Sequence, residues 1–128
     1  MSATGLQQQR PDPRTAIGRL GEQATLAVYR RMGFELVARN WRCPAGEIDL
    51  VLRRGSTLVV CEVKTRTSAE FGAGYESVTF AKRRRLRRLA QLFLLDRQLR
   101  GVDVRFDVAS VFAPRGSRPD VAVFVDAF

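Results

Sequence analysis

The chain has no histidine. That single absence removes Ser-His-Asp triads, Cys-His dyads, HExxH zinc sites and histidine phosphotransfer together, so catalysis here must rest on carboxylates, lysine or a metal ion. Cysteine is nearly absent: Cys43 and Cys61 show no CxxC spacing, which argues against a zinc site, and no disulfide is expected in a reducing compartment. Both cysteines read as structural. No uninterrupted apolar run approaches the roughly 20 residues that span a bilayer, and no membrane partner is expected. The opening MSATGLQQQRPDPR lacks the apolar core of a secretory signal. It reads as a flexible tail over residues 1–14, ahead of a single domain over 15–128 in a cytoplasmic protein. Lysine is the last scarcity. Of 22 basic residues only Lys64 and Lys82 are lysines, and the other 20 are arginines. A guanidinium keeps its proton, whereas an amine can lose one when its surroundings shift its pKa, which singles out Lys64.

What is present points to a polyanionic partner. The net charge is +9 over 128 residues, with a sequence pI ≈ 11.1. Nucleic acid comes first among the partners such a balance favours. TAIGRLGEQATLAVYRRMGF carries Ile17, Leu20, Ala24, Val28 and Arg31 on one helical stripe, with Gly33 as the stop. Three strand-like runs follow, FELVARNWR, GEIDLVLRR and TLVVCEVKT. FGAGYES reads as a loop, Ser77 as the cap of a long helix reaching about Arg100, and VDVRFDVASVFA and VAVFVDAF as two last strands. This order fits an α/β sandwich around a central mixed sheet. Phe34, Phe106, Phe112 and Phe124 follow strand alternation and read as core.

The third strand run contains Glu62 and Lys64, charges two positions apart on what would otherwise be a buried strand. With Gly55 and Ser56 as a two-residue type II′ turn, Asp49 falls opposite Glu62 and Glu47 opposite Lys64. All four then project from one side of the sheet, with Ile48, Leu50, Cys61 and Val63 on the other. Directly opposed Asp and Glu have Cβ atoms about 4.5 to 5.5 Å apart, a like-charge pair that a divalent cation would neutralise. Magnesium takes one or two protein carboxylates and completes its shell with water and phosphate oxygens. Lys64 could then orient or deprotonate an attacking water, or stabilise charge building on phosphorus. The chemistry this suggests is phosphodiester hydrolysis. A solvated strand face of mutually tolerant cross-strand pairs is the alternative.

In AKRRRLRRLAQLFLLDRQLR, Leu86, Leu89, Ala90 and Phe93 form the buried stripe. Lys82, Arg83, Arg84 and Arg85 crowd the early turns, where the helix dipole disfavours cations, and phosphate oxygens would resolve that mismatch. Arg39, Arg42 and Arg66 flank the acidic patch and could hold phosphates as well. Trp41 has two readings, stacking on an unpaired base or packing at a strand end.

GEIDLV followed by VVCEVKTR, preceded by GRLGEQATLAVYRRMGF and followed by FGAGYESVTFAKRRRLRRLAQLFL, resembles the YraN family of small bacterial predicted endonucleases over about residues 17–111. That family is similar to archaeal Holliday-junction resolvases and belongs to the restriction-endonuclease-like PD-(D/E)xK group. The resemblance implies a three-layer α/β sandwich and Mg²⁺- or Mn²⁺-dependent cleavage of DNA, branched or structured DNA among the candidate substrates. By position, Asp49 and Glu62 resemble the metal-binding acids, the Val63 carbonyl a further metal ligand, Lys64 the catalytic lysine and Glu22 the additional acid of resolvase-like members. Helical projection sets Glu22 beside Gly18, Leu26 and Tyr29, away from Arg19 and Gln23. Ile48 stands where the nominal signature has proline. Junction resolvases act as dimers, so a homodimer is compatible with the resemblance. Two rivals stay open: a non-catalytic nucleic-acid-binding module, and a basic scaffold for a protein or ribosomal RNA partner.

Overall fold

The computed structural model describes residues 13–68 and 79–128. Its elements are α1 (Pro13–Arg31), β1 (Glu35–Cys43), β2 (Gly46–Arg54), β3 (Thr57–Arg66), α2 (Phe80–Arg97), β4 (Asp103–Phe112) and β5 (Asp120–Phe124). The five strands form one sheet in chain order, antiparallel throughout except for the parallel β3/β4 pair. A parallel neighbour requires a crossover, and α2 lies on it. The five strand runs read from the sequence are the five strands observed. The α/β sandwich with a central mixed sheet is therefore as expected, and it is compatible with the restriction-endonuclease-like arrangement.

Strict alternation in β3 assigns the layers. Leu58 and Val60 pack with Ile48, Val51, Phe106 and the α2 residues Leu86, Leu89, Ala90 and Phe93, while Val59 and Cys61 pack with Leu50, Leu52, Phe34 and the α1 residues Leu26 and Tyr29. The helices thus cover opposite faces. The α2 stripe is the expected one, and burying a side chain such as Phe93 contributes about 1.5–3 kcal/mol. Trp41 packs edge-on against Phe93 at 5.2 Å, so its role is packing. Phe34 and Phe106 are core, whereas Phe112 and Phe124 are only half-buried. Gly55 alone of its turn pair has positive φ, at 59°, as a II′ turn requires.

Three expectations need correction. The cap of α2 is Thr79, whose hydroxyl accepts from the Lys82 amide at 3.2 Å, and the helix ends at Arg97; Ser77 and the FGAGYES loop lie outside the described residues. Helix α1 begins at Pro13, inside the stretch read as tail, a position proline suits. Its buried face is also rotated. Gly21, Glu22, Thr25, Leu26 and Tyr29 face the sheet, and Leu20 is 48% exposed. The reason is close approach, because a Cβ at Gly21 would fall on Thr65 Oγ1 and lie 2.9 Å from Thr65 Cβ. Small residues win this face over larger apolar ones because they let α1 sit directly on β3. Gly21→Ala is accordingly expected to destabilise the protein by about 1–3 kcal/mol despite alanine's better helix propensity, read as a lower melting temperature.

Candidate active site

The hairpin register runs as expected from Arg54↔Thr57 to Leu50↔Cys61, and the paired residues end there. Beyond it β2 changes faces. Ile48 and Leu50 share parity, yet Ile48 packs on the α2 side and Leu50 on the α1 side. Asp49 sits at this break. Its Oδ2 accepts the Val63 amide at 2.8 Å, standing in for a backbone partner from β2. Since a strand residue's N–H and C=O point to the same side, the Val63 carbonyl also faces this gap. The expectation that Ile48 and Leu50 share a face, and that Glu47 joins Lys64, is therefore overturned. Glu47 instead accepts from Arg42 Nε at 2.6 Å, on a surface where such pairs contribute little.

Glu62 keeps the parity of Val60 and turns toward α2. It is 8% exposed and shares a hydrogen bond with Asp49. Two lysine amines meet its Oε2, Lys82 Nζ at 2.7 Å and Lys64 Nζ at 3.8 Å. The charges divide accordingly. Burial first, then the bond to Glu62 and its charge, push Asp49 up to about 8 against the pull of the Val63 amide. Burial also acts on Glu62, but the Asp49 bond and Lys82 outweigh it and hold Glu62 below its ordinary value. The contact drives the two carboxyls apart, Asp49 upward and Glu62 downward. Burial and the Lys82 ammonium hold the Lys64 amine below the usual lysine range, while Lys82, pulled down by burial, is carried above it by its bonds to Glu62 and Lys64.

A raised carboxyl has a definite sign in folding. The unfolded Asp49 ionises near its ordinary value of 3.8 and the folded one at about 8, so its contribution is full below the lower value and is lost as pH rises through the higher. Asp49→Asn, which keeps a donor to Glu62, is expected to flatten this part of the stability profile. Melting curves at pH 5 and pH 8 would show the variant gaining on the wild type at the higher pH.

Glu22 arrives from the other layer. It is 8% exposed, accepting from Asn40 Nδ2 at 3.1 Å and Arg39 Nε at 3.4 Å, and it adds a repulsive charge to Asp49. Asn40 has φ 52°, unusual for a strand residue other than glycine. A cleft of ≈ 550 Å³ is lined by Ile17, Gly18, Glu22, Val63, Lys64 and Thr65 among others, and one of ≈ 410 Å³ shares Gly18 and Glu22 and adds Arg19, Asn40, Arg42 and Glu47. Glu22 stands where the two meet.

The phosphate-holding candidates separate. Arg39 is tied to Glu22, Gln23 and the Arg19 carbonyl, and Arg66 to the Ser68 carbonyl and the Phe112 ring. Arg83 lies 5.7 Å from the Phe128 ring centre. Arg84 is exposed beside Arg85 and Arg88, and Arg42 is exposed beside Glu47. Lys82 is inside the acid centre. The scarcity of lysine marks Lys82 as much as Lys64, while nothing in the sequence marks Asn40.

No group of three or more Asp, Glu or Cys in metal-holding geometry occurs among the described residues. A closed all-protein cage is therefore not built here. The donor set is two carboxylates and a carbonyl, which suits an ion that keeps water. A half-buried Asp49 set against the buried Glu62 is the like-charge arrangement a divalent cation would relieve, so the residues fit such an ion. Among the described residues no helix is long and apolar enough to cross a membrane.

Similar chains cover most of this one. A "UPF0102 protein" of Nocardia farcinica is 47% identical over 104 residues, covering 81% of this chain and 82% of the relative. One from Acidothermus cellulolyticus is 42% identical over 125 residues, 90% of this chain and 95% of the relative, and one from Moorella thermoacetica is 46% identical over 101 residues, 79% and 84%. The model of the family described as "Uncharacterised protein family UPF0102" matches residues 21–111, which include Glu22, Asp49, Glu62, Lys64 and Lys82. On this coverage the chain belongs to the uncharacterised protein family UPF0102, the YraN family that GEIDLV and VVCEVKTR resemble.

Proposed function

We propose that the protein is a metal-dependent endodeoxyribonuclease that hydrolyses phosphodiester bonds, with branched or structured DNA as its candidate substrate. The carrying observation is the half-buried Asp49 beside the buried Glu62 at the splayed end of β2 and β3, with the Lys64 amine 3.8 Å from Glu62. Asp49, Glu62 and the Val63 carbonyl would hold Mg²⁺ or Mn²⁺. Bound there, the ion supplies Lewis-acid activation of the phosphodiester and a lowered pKa for water.

The chain's own part follows from its protonation states. Lys64, its pKa already lowered, takes a proton at Nζ from the attacking water as the new P–O bond forms. The P–O bond to the leaving oxygen breaks, and that oxygen takes up a proton from solvent water. Asp49 and Glu62 orient the reacting groups from a desolvated floor, where electrostatic interactions are strong. Glu22, held by Arg39 and Asn40, lines the same cleft as Lys64 from the α1 side. Arg42 and Arg84 are exposed and suited to backbone phosphates. The non-catalytic reading would be favoured by Lys64 held on Glu47, but Arg42 engages Glu47 instead.

The test is cleavage of linear, flapped and four-way DNA with Mg²⁺, with Mn²⁺ and with excess chelator. Cleavage of at least one substrate, lost in chelator, is expected. Failure to cut any of them with either ion would overturn the proposal.

A further inference from the structure

The chain's only two lysines converge on one carboxylate oxygen. With arginine at the other 20 basic positions, that convergence asks what an ammonium does on Glu62 that a guanidinium would not. An ammonium is a compact point charge on a flexible stem, whereas a guanidinium grips a carboxylate through a planar two-pronged fork. A single-point cation is the kind another ion can replace. Lys82 makes the shorter contact, 2.7 Å, and its backbone is anchored in the first turn of α2 by the bond from its amide to the Thr79 hydroxyl. Only the four-carbon stem is left to move.

Resting on the reading of Asp49 and Glu62 as the metal-holding pair, we propose that Lys82 is an internal counter-cation on Glu62 that must be exchanged for the divalent ion when the site loads. The desolvated Glu62 needs a positive partner, and Lys82 supplies it at 2.7 Å. A divalent ion on the same carboxylate repels an ammonium that close. The displaced amine then lies on the helix that also presents Arg83 and Arg84, where a backbone phosphate is its natural replacement anion. By linkage, ion loading and phosphate binding reinforce one another.

The test measures Mn²⁺ binding itself, by electron paramagnetic resonance of free Mn²⁺ at fixed pH and ionic strength, on the full chain without DNA. Lys82→Gln is expected to bind Mn²⁺ roughly tenfold tighter than wild type, the scale of one lost hydrogen bond to a charged group. Lys82→Arg, which keeps a cation on Glu62, should show no such tightening. If the glutamine variant fails to fold, Lys82→Met, with a stem of similar length, takes its place. Saturable binding that is equal or weaker in Lys82→Gln overturns the counter-cation while leaving the metal-holding pair standing. Absence of saturable binding in wild type and Lys82→Gln alike overturns both.

Discussion

Lys64→Ala is expected to lower metal-dependent DNA cleavage by roughly 10²–10⁴-fold, with DNA binding little changed. The amine stands 3.8 Å from Glu62 with its pKa held down by burial and by Lys82, which suits it to the proton-accepting role proposed for it. Glu62→Gln should lose at least as much, because it removes the charge that faces both amines and would hold the ion. The informative third variant is Lys64→Arg. A guanidinium keeps the positive charge but does not give up its proton, so a proton-accepting Lys64 predicts that arginine fails nearly as badly as alanine. Single-turnover cleavage on a labelled substrate measures the first quantity and fluorescence anisotropy in chelator the second. Retention of activity within about threefold in Lys64→Ala would remove Lys64 from the chemistry.

Asp107→Ala is expected to be the most destabilising of the substitutions considered, by about 3–5 kcal/mol. Asp107 has 0% exposure and is fully engaged. It accepts from Tyr29 Oη at 2.6 Å, from Arg105 Nε at 3.0 Å and Nη2 at 2.9 Å, and from the Asp126 amide at 3.0 Å. These bonds join α1 to β4 and to the segment after β5. Truncation would strand the Tyr29 hydroxyl, which burial above all pushes far above its ordinary pKa, and would remove the carboxylate that raises the Arg105 guanidinium. For a domain of this size the melting temperature should fall by roughly 10–25 °C, measured calorimetrically. Asp107→Asn, which keeps one acceptor, should fall between. A drop of less than about 3 °C in the alanine variant would show that the network carries little of the stability.

Most of the architecture was legible because it is local. The strands β1 to β3 declared themselves by runs bounded with Gly46, Gly55 and Ser56, and the turn set the register as far as Leu50↔Cys61. The α2 stripe is a 3.6-residue repeat of large apolar residues and needed no partner to be recognised. Helix α1 is not recognisable in the same way, because its sheet-facing side is built from Gly21, Glu22 and Thr25, which read as surface residues in isolation. Likewise, alternation carried past Asp49 assigns Ile48 to the wrong face, since nothing local announces that β2 changes sides there.

The sequence by itself determined the element order, the hairpin that brings Asp49 near Glu62 and the chemical menu left by the absence of histidine. Period, turn chemistry and composition are properties of neighbouring residues. Only the tertiary structure decided which cations serve the acids. Glu47 goes to Arg42, and Lys82 crosses from α2 to Glu62. Partner choice of this kind depends on which layers meet and on which carboxylates are desolvated there. A buried charge must take a counter-charge from whatever element packs against it, and no spacing along the chain encodes that.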